Sequence, residues 1–545
     1  MISREVSITL ESDWTHGSGQ RGDDNADIAI QRDASGRPLL RGTHLTGLVR
    51  EALPEVIAML VKESAKDKAV WKSWLTVLCG NETHAGALSI RTAYADIATP
   101  IGLRPGVAIN PATGTAADDQ LRLAQRVGTV KLTTSAVLGE RSGDGRRLAW
   151  SKDQITAAWL LAEAAMGLVE AVGSERHRGA GRAVIAWADK EPKLTARLQQ
   201  LKTKPVPPPA ATAETRPRVG GTPVSEEWKR FTVGLTLSDP LHANAGVRSN
   251  TMLGHPYLPG TALLPWLHQQ LRRIDAEDIV RDAVVNGGLL AGNAYPVVES
   301  RPTWPAPLGL SSRGRWVTQS CPHDFVDGAP MLLVPHNTID PTKGRTKTEA
   351  GFYQVVAIAD GSILEAEVLL NTDVCRALPE GWETKIDTSG FFGAKSGAAY
   401  GGAKVCVSGG VPATPTTPNA SDGSLTVWLL SDLLLRSPSF AAAGVFDVVK
   451  ALQQLGVGVT DPELGEVHVQ TKRIDSWTGN APRPTLITLA AGSTMRLRWD
   501  GSGAEVLAKV ALTGFGERRA EGFGRMAFQH PLLESQPALP AGALP

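Results

Sequence analysis

Apolar and polar positions alternate at the start of the chain. Val6, Ile8 and Leu10 are separated by polar residues, the period of a half-buried strand. Residues 13–33 are polar and glycine-bearing and read as a loop. Thr43 is the expected N-cap of a helix carrying Leu45, Leu48, Val49, Ile57, Leu60 and Val61 on its apolar side, with Pro54 expected to bend or interrupt it. Residues 87–91 and 130–137 read as strands. Residues 153–172 are rich in Ala and Leu and read as a helix stopping at Gly173, and residues 183–187 close the unit as a strand. Strand, helix, strand pair, helix, strand is the split βαβ, ferredoxin-like order.

The pattern then begins again. Residues 190–228 include Pro205 and Pro207 to Pro209 and read as a semi-rigid linker. Beyond it, Phe231, Val233, Leu235 and Leu237 alternate, and a helix is expected after Thr261. A short motif marks the repeat. Gly36-Arg37-Pro38-Leu39-Leu40-Arg41-Gly42-Thr43-His44-Leu45 returns as Gly254-His255-Pro256-Tyr257-Leu258-Pro259-Gly260-Thr261-Ala262-Leu263, with Gly, Pro, Leu, Gly, Thr and Leu in register. Each half also ends in an arginine-bearing glycine loop, Arg178-Gly179-Ala180-Gly181-Arg182 and Glu521-Gly522-Phe523-Gly524-Arg525. An internal repeat is weighed before other signals because it sets the fold. The expectation is an α+β chain with two ferredoxin-like (RRM-like) domains in tandem, residues 1–190 and 229–532. A linker at 191–228, an insertion at about 320–423 and a tail at 533–545 complete it.

Composition narrows the function classes. The 545 residues are 42% hydrophobic and 20% charged, with a formal net charge of +1, so a nucleic-acid partner would be held by local basic loops and not by bulk charge. Cys79, Cys321, Cys375 and Cys406 form no C-x-x-C pair, which excludes the usual zinc and disulfide frameworks. The first residues lack an apolar signal core and no apolar run is long enough to span a bilayer, so the expected compartment is the cytoplasm, with no membrane partner. There is no H-E-x-x-H, no G-x-S-x-G and no kinase signature.

What remains is the chemistry of the loops. Glycine lets successive amides converge on an anion, and neighbouring arginines offer planar donors to phosphate or stack on bases. The first loop supplies Arg176, His177, Arg178 and Arg182 around Gly179 and Gly181; the second supplies Arg518, Arg519 and Arg525 around Gly522 and Gly524. Neither is a P-loop or a G-x-G-x-x-G. The acidic stretch Asp23, Asp24 and Asp27 could position a metal ion or take a proton from a ribose 2′-hydroxyl, although on sequence alone a solvated acidic loop is the favoured account of it.

G-x-P-x-L-x-G-T-x-L after a strand, followed by a terminal glycine loop, resembles the RAMP superfamily of CRISPR effector subunits. The first domain is similar to the backbone subunit of type III complexes. Its aspartate, five residues, second aspartate and G-x-P stand here as Asp27, Asp33 and Gly36-Arg37-Pro38. Its "FG…GG-L" element resembles Leu78-Cys79-Gly80 through Ala85-Gly86-Ala87-Leu88, and its "VAID…TGTA" element resembles Val107-Ala108-Ile109-Asn110 through Thr113-Gly114-Thr115-Ala116. The second domain resembles the type III-D subunit that holds the guide 5′ end, at Leu430-Ser431-Asp432-Leu433, at 477–492 and at 516–525.

The resemblance implies binding of CRISPR RNA along the sheets and glycine loops, stacking with other type III subunits, and capture of target RNA. It implies cleavage of that RNA by attack of the 2′-hydroxyl with a divalent cation, ordinarily Mg, at an aspartate that maps to Asp27. Guide contacts would come from Gly17, Ser18, Gly19, Thr43, Arg50, Arg176, Arg178, Gly179, Gly181 and Arg182, and in the second domain from Arg518, Arg519, Gly522, Gly524 and Arg525. Thr46 stands where a basic residue is common, and Asn110 replaces an aspartate. The second copy lacks the acidic loop and is expected to bind without cutting. Two alternatives stay open: a purely structural RNA-binding subunit, and a metal-independent guide-processing endonuclease using His16 or His177. The governing expectation is that both terminal arginine turns border a groove open to a nucleotide strand.

Overall fold

The computed structural model describes residues 2–18, 26–33, 35–61, 65–80, 86–96, 99–109, 115–139, 147–176, 179–189, 194–212, 226–274, 283–320, 324–337, 339–340, 345–346, 351–386, 388–394, 400–419, 423–436, 443–474, 477–478, 481–482 and 486–534. The fold is mixed α+β with antiparallel sheets, in two compact units. One comprises Met1–Arg216, Val334–Gln354 and Lys395–Tyr400; the other comprises Pro217–Leu333, Val355–Ala394 and Gly401–Pro545.

The first unit is built on β1 (Ile2–Leu10), α1 (Gly42–Leu60), α2 (Ala65–Cys79), β2 (Leu88–Ile90), β3 (Ala93–Ala95), β4 (Ile101–Ile109), β5 (Ala116–Val127), β6 (Lys131–Leu138), α3 (Lys152–Gly167), β7 (Ala183–Trp187) and α4 (Leu194–Thr203). The sheet runs β7-β1-β6, β2 and β3 share the edge of β6, and the two-residue strand Leu39–Leu40 pairs with β3 at the end. Val6, Ile8 and Leu10 are buried in one core with Leu45, Val49, Leu53 and Ile57 of α1 and Ala158, Leu161 and Ala165 of α3. Helix α1 begins one residue before Thr43, with Arg41 at the N-cap and no side-chain cap, and it runs through the exposed Pro54 without a break. A Ser151–Gln154 capping box starts α3, which ends at Gly167, six residues short of the expected stop.

Residues expected to form a linker pack on this unit. Leu201 of α4 is buried, Trp74 Nε1 donates to Val206 O at 2.7 Å, and the strand Ala211–Thr212 pairs with Arg147–Leu148. Prolines fix an extended path but do not prevent such a path from lying on a core.

Two sheets organise the cores of the second unit. One is formed by β8 (Trp228–Leu237), α5 (Gly260–Arg273), β9 (Leu289–Ala291), β10 (Tyr295–Val298), β11 (Ile363–Asn371), α6 (Thr372–Ala377) and β12 (Gly402–Pro412), in the order β12-β8-β11 with β9 and β10 on the far edge of β11. The other is formed by β13 (Ser424–Leu429), α7 (Val445–Gln454), β14 (Val459–His468), β15 (Thr494–Trp499), α8 (Ala504–Thr513) and β16 (Met526–Phe528), in the order β16-β13-β15-β14. All three sheets follow the order last, first, third, second. Each has its own core, the third built on Leu425, Val427, Val448, Leu452, Leu507 and Val510.

The strand order thus repeats three times where two domains were expected. Strands β11 and β12 lie inside the stretch assigned to an insertion and complete the second sheet. The glycine loop at 514–525 precedes the last strand of the third sheet, not of the second. Among the described residues no helix is long and apolar enough to cross a membrane.

Candidate RNA-binding and cleavage site

Three segments meet at one end of the first sheet: the residues after β1, the start of α1, and the glycine loop before β7. The chain after β1 crosses onto the β4–β5 hairpin, where Trp14 and Val127 exchange backbone hydrogen bonds at 2.9 Å. Gly17 and Ser18 pair back on Ala29 and Ile30, Ser18 N donating to Ala29 O at 2.8 Å. Gly19 lies outside the described residues.

The chain returns beside the same hairpin. Asp27 N donates to Leu123 O at 2.8 Å, and the Asp27 carboxylate accepts from Leu123 N at 2.9 Å. Asp27 is exposed. Asp33, its partner in the sequence pattern, is spent on a turn: its carboxylate accepts from Ser35 N at 3.0 Å and Arg37 N at 2.8 Å and pairs with the Arg37 guanidinium at 2.8 Å. Only Asp27 of the two faces solvent with its carboxylate.

The root of the hairpin is held by charge. Asp13 pairs with Arg104 of β4 and Arg126 of β5, each at 2.8 Å, and Arg126 also pairs with Glu175 in the glycine loop. Burial pushes the Asp13 carboxyl up, but hydrogen bonds and charge from Arg126 and Arg104 outweigh it and hold the group below the ordinary value.

The start of α1 faces the glycine loop. Gly173 N donates to His44 Nε2 at 2.8 Å, so the lone pair of His44 lies on Nε2 and the ring is neutral. Burial, then the nearby Arg176 charge, depress His44 to about 4, with Glu51 opposing. His16 stands 5.2 Å from His44 between ring centroids, and burial, His44 and Arg41 hold it well below the usual histidine range. Both imidazoles are therefore neutral at neutral pH. Arg176 pairs with Glu51 at 3.3 Å.

The glycines of this loop divide in two. A Cβ on Gly181 would lie 1.9 Å from Val172 O, so Gly181 allows close packing. A Cβ on Gly179 would meet nothing within 4 Å, although its φ is +85°. A groove of about 670 Å³ opens here, bordered by Arg176, Gly179, Arg182, Glu11 and Glu170. The Arg182 side chain is 76% exposed and pairs with Glu11 at 3.3 Å. Arg178 and His177 lie outside the described residues.

Other predicted positions serve the fold. The Arg50 guanidinium donates to Leu88 O at 3.0 Å, and Thr46 Oγ1 exchanges hydrogen bonds with Ile90, at 2.7 Å from its N–H. Together they stitch α1 to β2. Gly86 of the "FG…GG-L" element lies so close to Leu78 O that a Cβ would stand 2.1 Å away. Thr43 is exposed in the first turn of α1.

The second arginine turn departs from expectation. Gly522, Phe523 and Gly524 are buried. A Cβ on Gly524 would lie 1.8 Å from Phe515 O, one on Gly516 2.4 Å from Leu434 O, and one on Gly522 2.9 Å from Asn293 Oδ1. Arg525 donates to Leu512 O at 2.6 Å and pairs with Glu367 of β11 at 2.5 Å. Arg518 pairs with Glu521 and lies over the Phe523 ring. Arg519 alone of the three arginines is exposed. This turn packs inside its unit, against the start of α5, where a Cβ on Gly260 would stand 2.6 Å from Glu521 O. The reason is the third sheet, which the sequence pattern did not announce.

The sequence motif itself has a structural role that sequence reasoning missed. In both copies its second glycine opens a helix with no cap from its own segment. The free amide is met from between two short strands: Gly42 N by Thr92 Oγ1 at 3.4 Å, and Gly260 N by Asn293 Oδ1 at 2.9 Å.

No group of three or more His, Cys, Asp or Glu able to hold a metal ion occurs among the described residues. Mg²⁺ needs no such cage: it keeps several waters and is bound through one or two carboxylates plus substrate phosphate. The exposed Asp27 carboxylate fits that role.

No curated protein matches the chain. Solved structures that resemble it include a chain of the Type III-B Cmr-beta bound to cognate target RNA and AMPPnP, at 12% identity and TM-score 0.32 over 49% of this chain and 86% of that one. Another is a chain of the apo Type III-B Cmr-beta, at 11% identity and TM-score 0.26 over 35% and 98%. At these TM-scores the likeness carries no argument about fold or function. The family model of the RAMP superfamily matches residues 7–184, which hold β1, the Asp27 segment, the hairpin and the glycine loop. Over that segment the chain is similar to the RAMP superfamily.

Proposed function

We propose that this protein is a cytoplasmic CRISPR-RNA-binding subunit of a type III effector complex whose first domain cuts target RNA at Asp27. The observation that carries the reading is the placement of the two motif aspartates: Asp33 is consumed by a turn, whereas Asp27 is exposed on the hairpin. The groove beside Gly179, Arg176 and Arg182 supports guide binding, since an unobstructed glycine and two guanidinium groups at its border suit a ribose-phosphate strand.

In this reading the arginines fix the backbone of the guide and the paired target lies towards Asp27. The Leu123 amide holds one Asp27 oxygen, and the carboxylate takes the 2′-hydroxyl proton as the 2′-oxygen bonds to phosphorus and the P–O5′ bond breaks, the leaving 5′-oxygen taking a proton from water; Asp27 is also the residue that would hold a divalent ion. A bound Mg²⁺ would neutralise developing charge on that phosphate. Both halves of the second unit bind or position partners without cutting, and each sheet follows the RAMP-type, ferredoxin-like order.

The test is the assembled complex with Asp27→Ala. Divalent-ion-dependent cleavage should fall at least ~100-fold while co-purified guide is retained at the wild-type level. Unchanged cleavage would leave a structural subunit, and metal-independent cutting of free precursor that His16→Ala stops would replace the reading with guide processing.

A further inference from the structure

Asp27 sits in a segment whose sequence reads as loop, yet its backbone is tied to the hairpin by an isolated bridge and hydrogen bonds. Asp27 N and Ile28 N both donate to Leu123 O, at 2.8 and 3.2 Å, and Gln125 N donates to Ile28 O at 2.9 Å. Ile28 forms a parallel bridge with Ala124. One side chain closes this pairing. Gln125 is 4% exposed, and its Oε1 accepts from Ile30 N at 3.0 Å and from Arg32 Nη2 at 3.0 Å. Ile30 is buried at 3%, so its amide has little access to water if that oxygen is lost.

The geometry points to Gln125 as the positioning residue for Asp27. It holds Ile30 and Arg32, downstream of Asp27, and thereby the register in which Asp27 meets Leu123. The Asp13 pairs with Arg104 and Arg126 hold the root of the same hairpin, so the strand that carries Gln125 is anchored at the end nearer the sheet. The inference rests on the reading of Asp27 as the cutting residue.

Oε1 accepts from Ile30 N and from Arg32, so glutamate keeps these two acceptances and methionine removes them. The full chain in its complex, with co-purified guide, is compared as wild type, Gln125→Glu, Gln125→Met and Asp27→Ala. Gln125→Met should lower the single-turnover cleavage rate by roughly 30-fold, in the range that a displacement of about an ångström costs, with guide retention unchanged. Gln125→Glu, which keeps both acceptances, should lose clearly less than Gln125→Met. Amide hydrogen exchange over residues 27–32 should quicken more in the methionine variant than in the glutamate variant, with the first unit still folded at the assay temperature.

Wild-type cleavage and unchanged exchange in Gln125→Met would overturn the inference, as would equal losses in both Gln125 variants. If Asp27→Ala itself cuts normally, the nuclease reading falls, and the exchange comparison alone decides whether Gln125 holds the segment.

Discussion

The two arginine-bearing glycine turns look alike as strings and differ as objects. The turn before β7 keeps one glycine, Gly179, facing open space beside a groove bordered by Arg176 and Arg182. In the turn before β16 the glycines at 516, 522 and 524 are pressed against backbone or side-chain oxygens, and Arg525 is committed to Leu512 O and Glu367. Glycine spacing reports that the main chain comes close to something. Whether that something is a ligand or the protein's own carbonyl depends on what else folds nearby. Here a third sheet puts α5 and β9 against the second turn.

The largest effect should separate packing from binding. Gly524→Ala places a Cβ 1.8 Å from a carbonyl oxygen at φ +74° and should destabilise the second unit by about 3 kcal/mol or more, read as a lowered melting temperature. Gly179→Ala has the same backbone strain with open space around it and should cost only about 1 kcal/mol. Equal costs would erase the distinction.

Next come the arginines. Arg182→Ala should weaken guide binding and reduce the salt slope of affinity by about 1, with the fold unchanged. Arg525→Ala should destabilise its unit by about 1–3 kcal/mol through the uncapped Leu512 carbonyl and a Glu367 left to Arg230 alone, and leave the salt slope where it was.

The smallest effects concern pH. His44 is held at about 4, below its ordinary 6.5, so the unfolded chain takes up the proton first. Stability of the first unit is full above 6.5 and declines as pH falls towards 4, because a protonated Nε2 can no longer accept from Gly173 N. His44→Phe should flatten that decline in a melting series, with His16, also depressed, supplying the remainder. Asp13 acts lower still. Its depressed pKa contributes stability above its ordinary 3.8 that is lost as pH falls through the folded value, so the hairpin root should loosen only in more acidic solution.

Much of the first domain was legible from residue spacing. The strand at 183–187 falls where the alternation put it, and Leu45, Leu48, Val49, Ile57 and Leu60 all face the core, because one buried helix face leaves a strong periodic trace. The second unit was read less well. Strand β12 lies in a stretch of Gly, Ser, Thr and Pro with a register shift opposite Arg230 and Phe231; its order comes from pairing with β8, which local composition does not encode. Counting that stretch as an inserted loop hid the end of the second sheet and merged the third with it. At the site, the pattern of two aspartates was visible, but not which one a turn consumes. That depended on Arg37 and Ser35 closing around Asp33. Gln125 left no trace beyond one polar residue in an amphipathic strand.

The most direct measurement is ultraviolet crosslinking of the co-purified guide to the native protein, mapped by mass spectrometry. Adducts should fall on residues 176–182 and be absent from residues 516–525. Adducts concentrated on the second turn, with none on the first, would contradict the account.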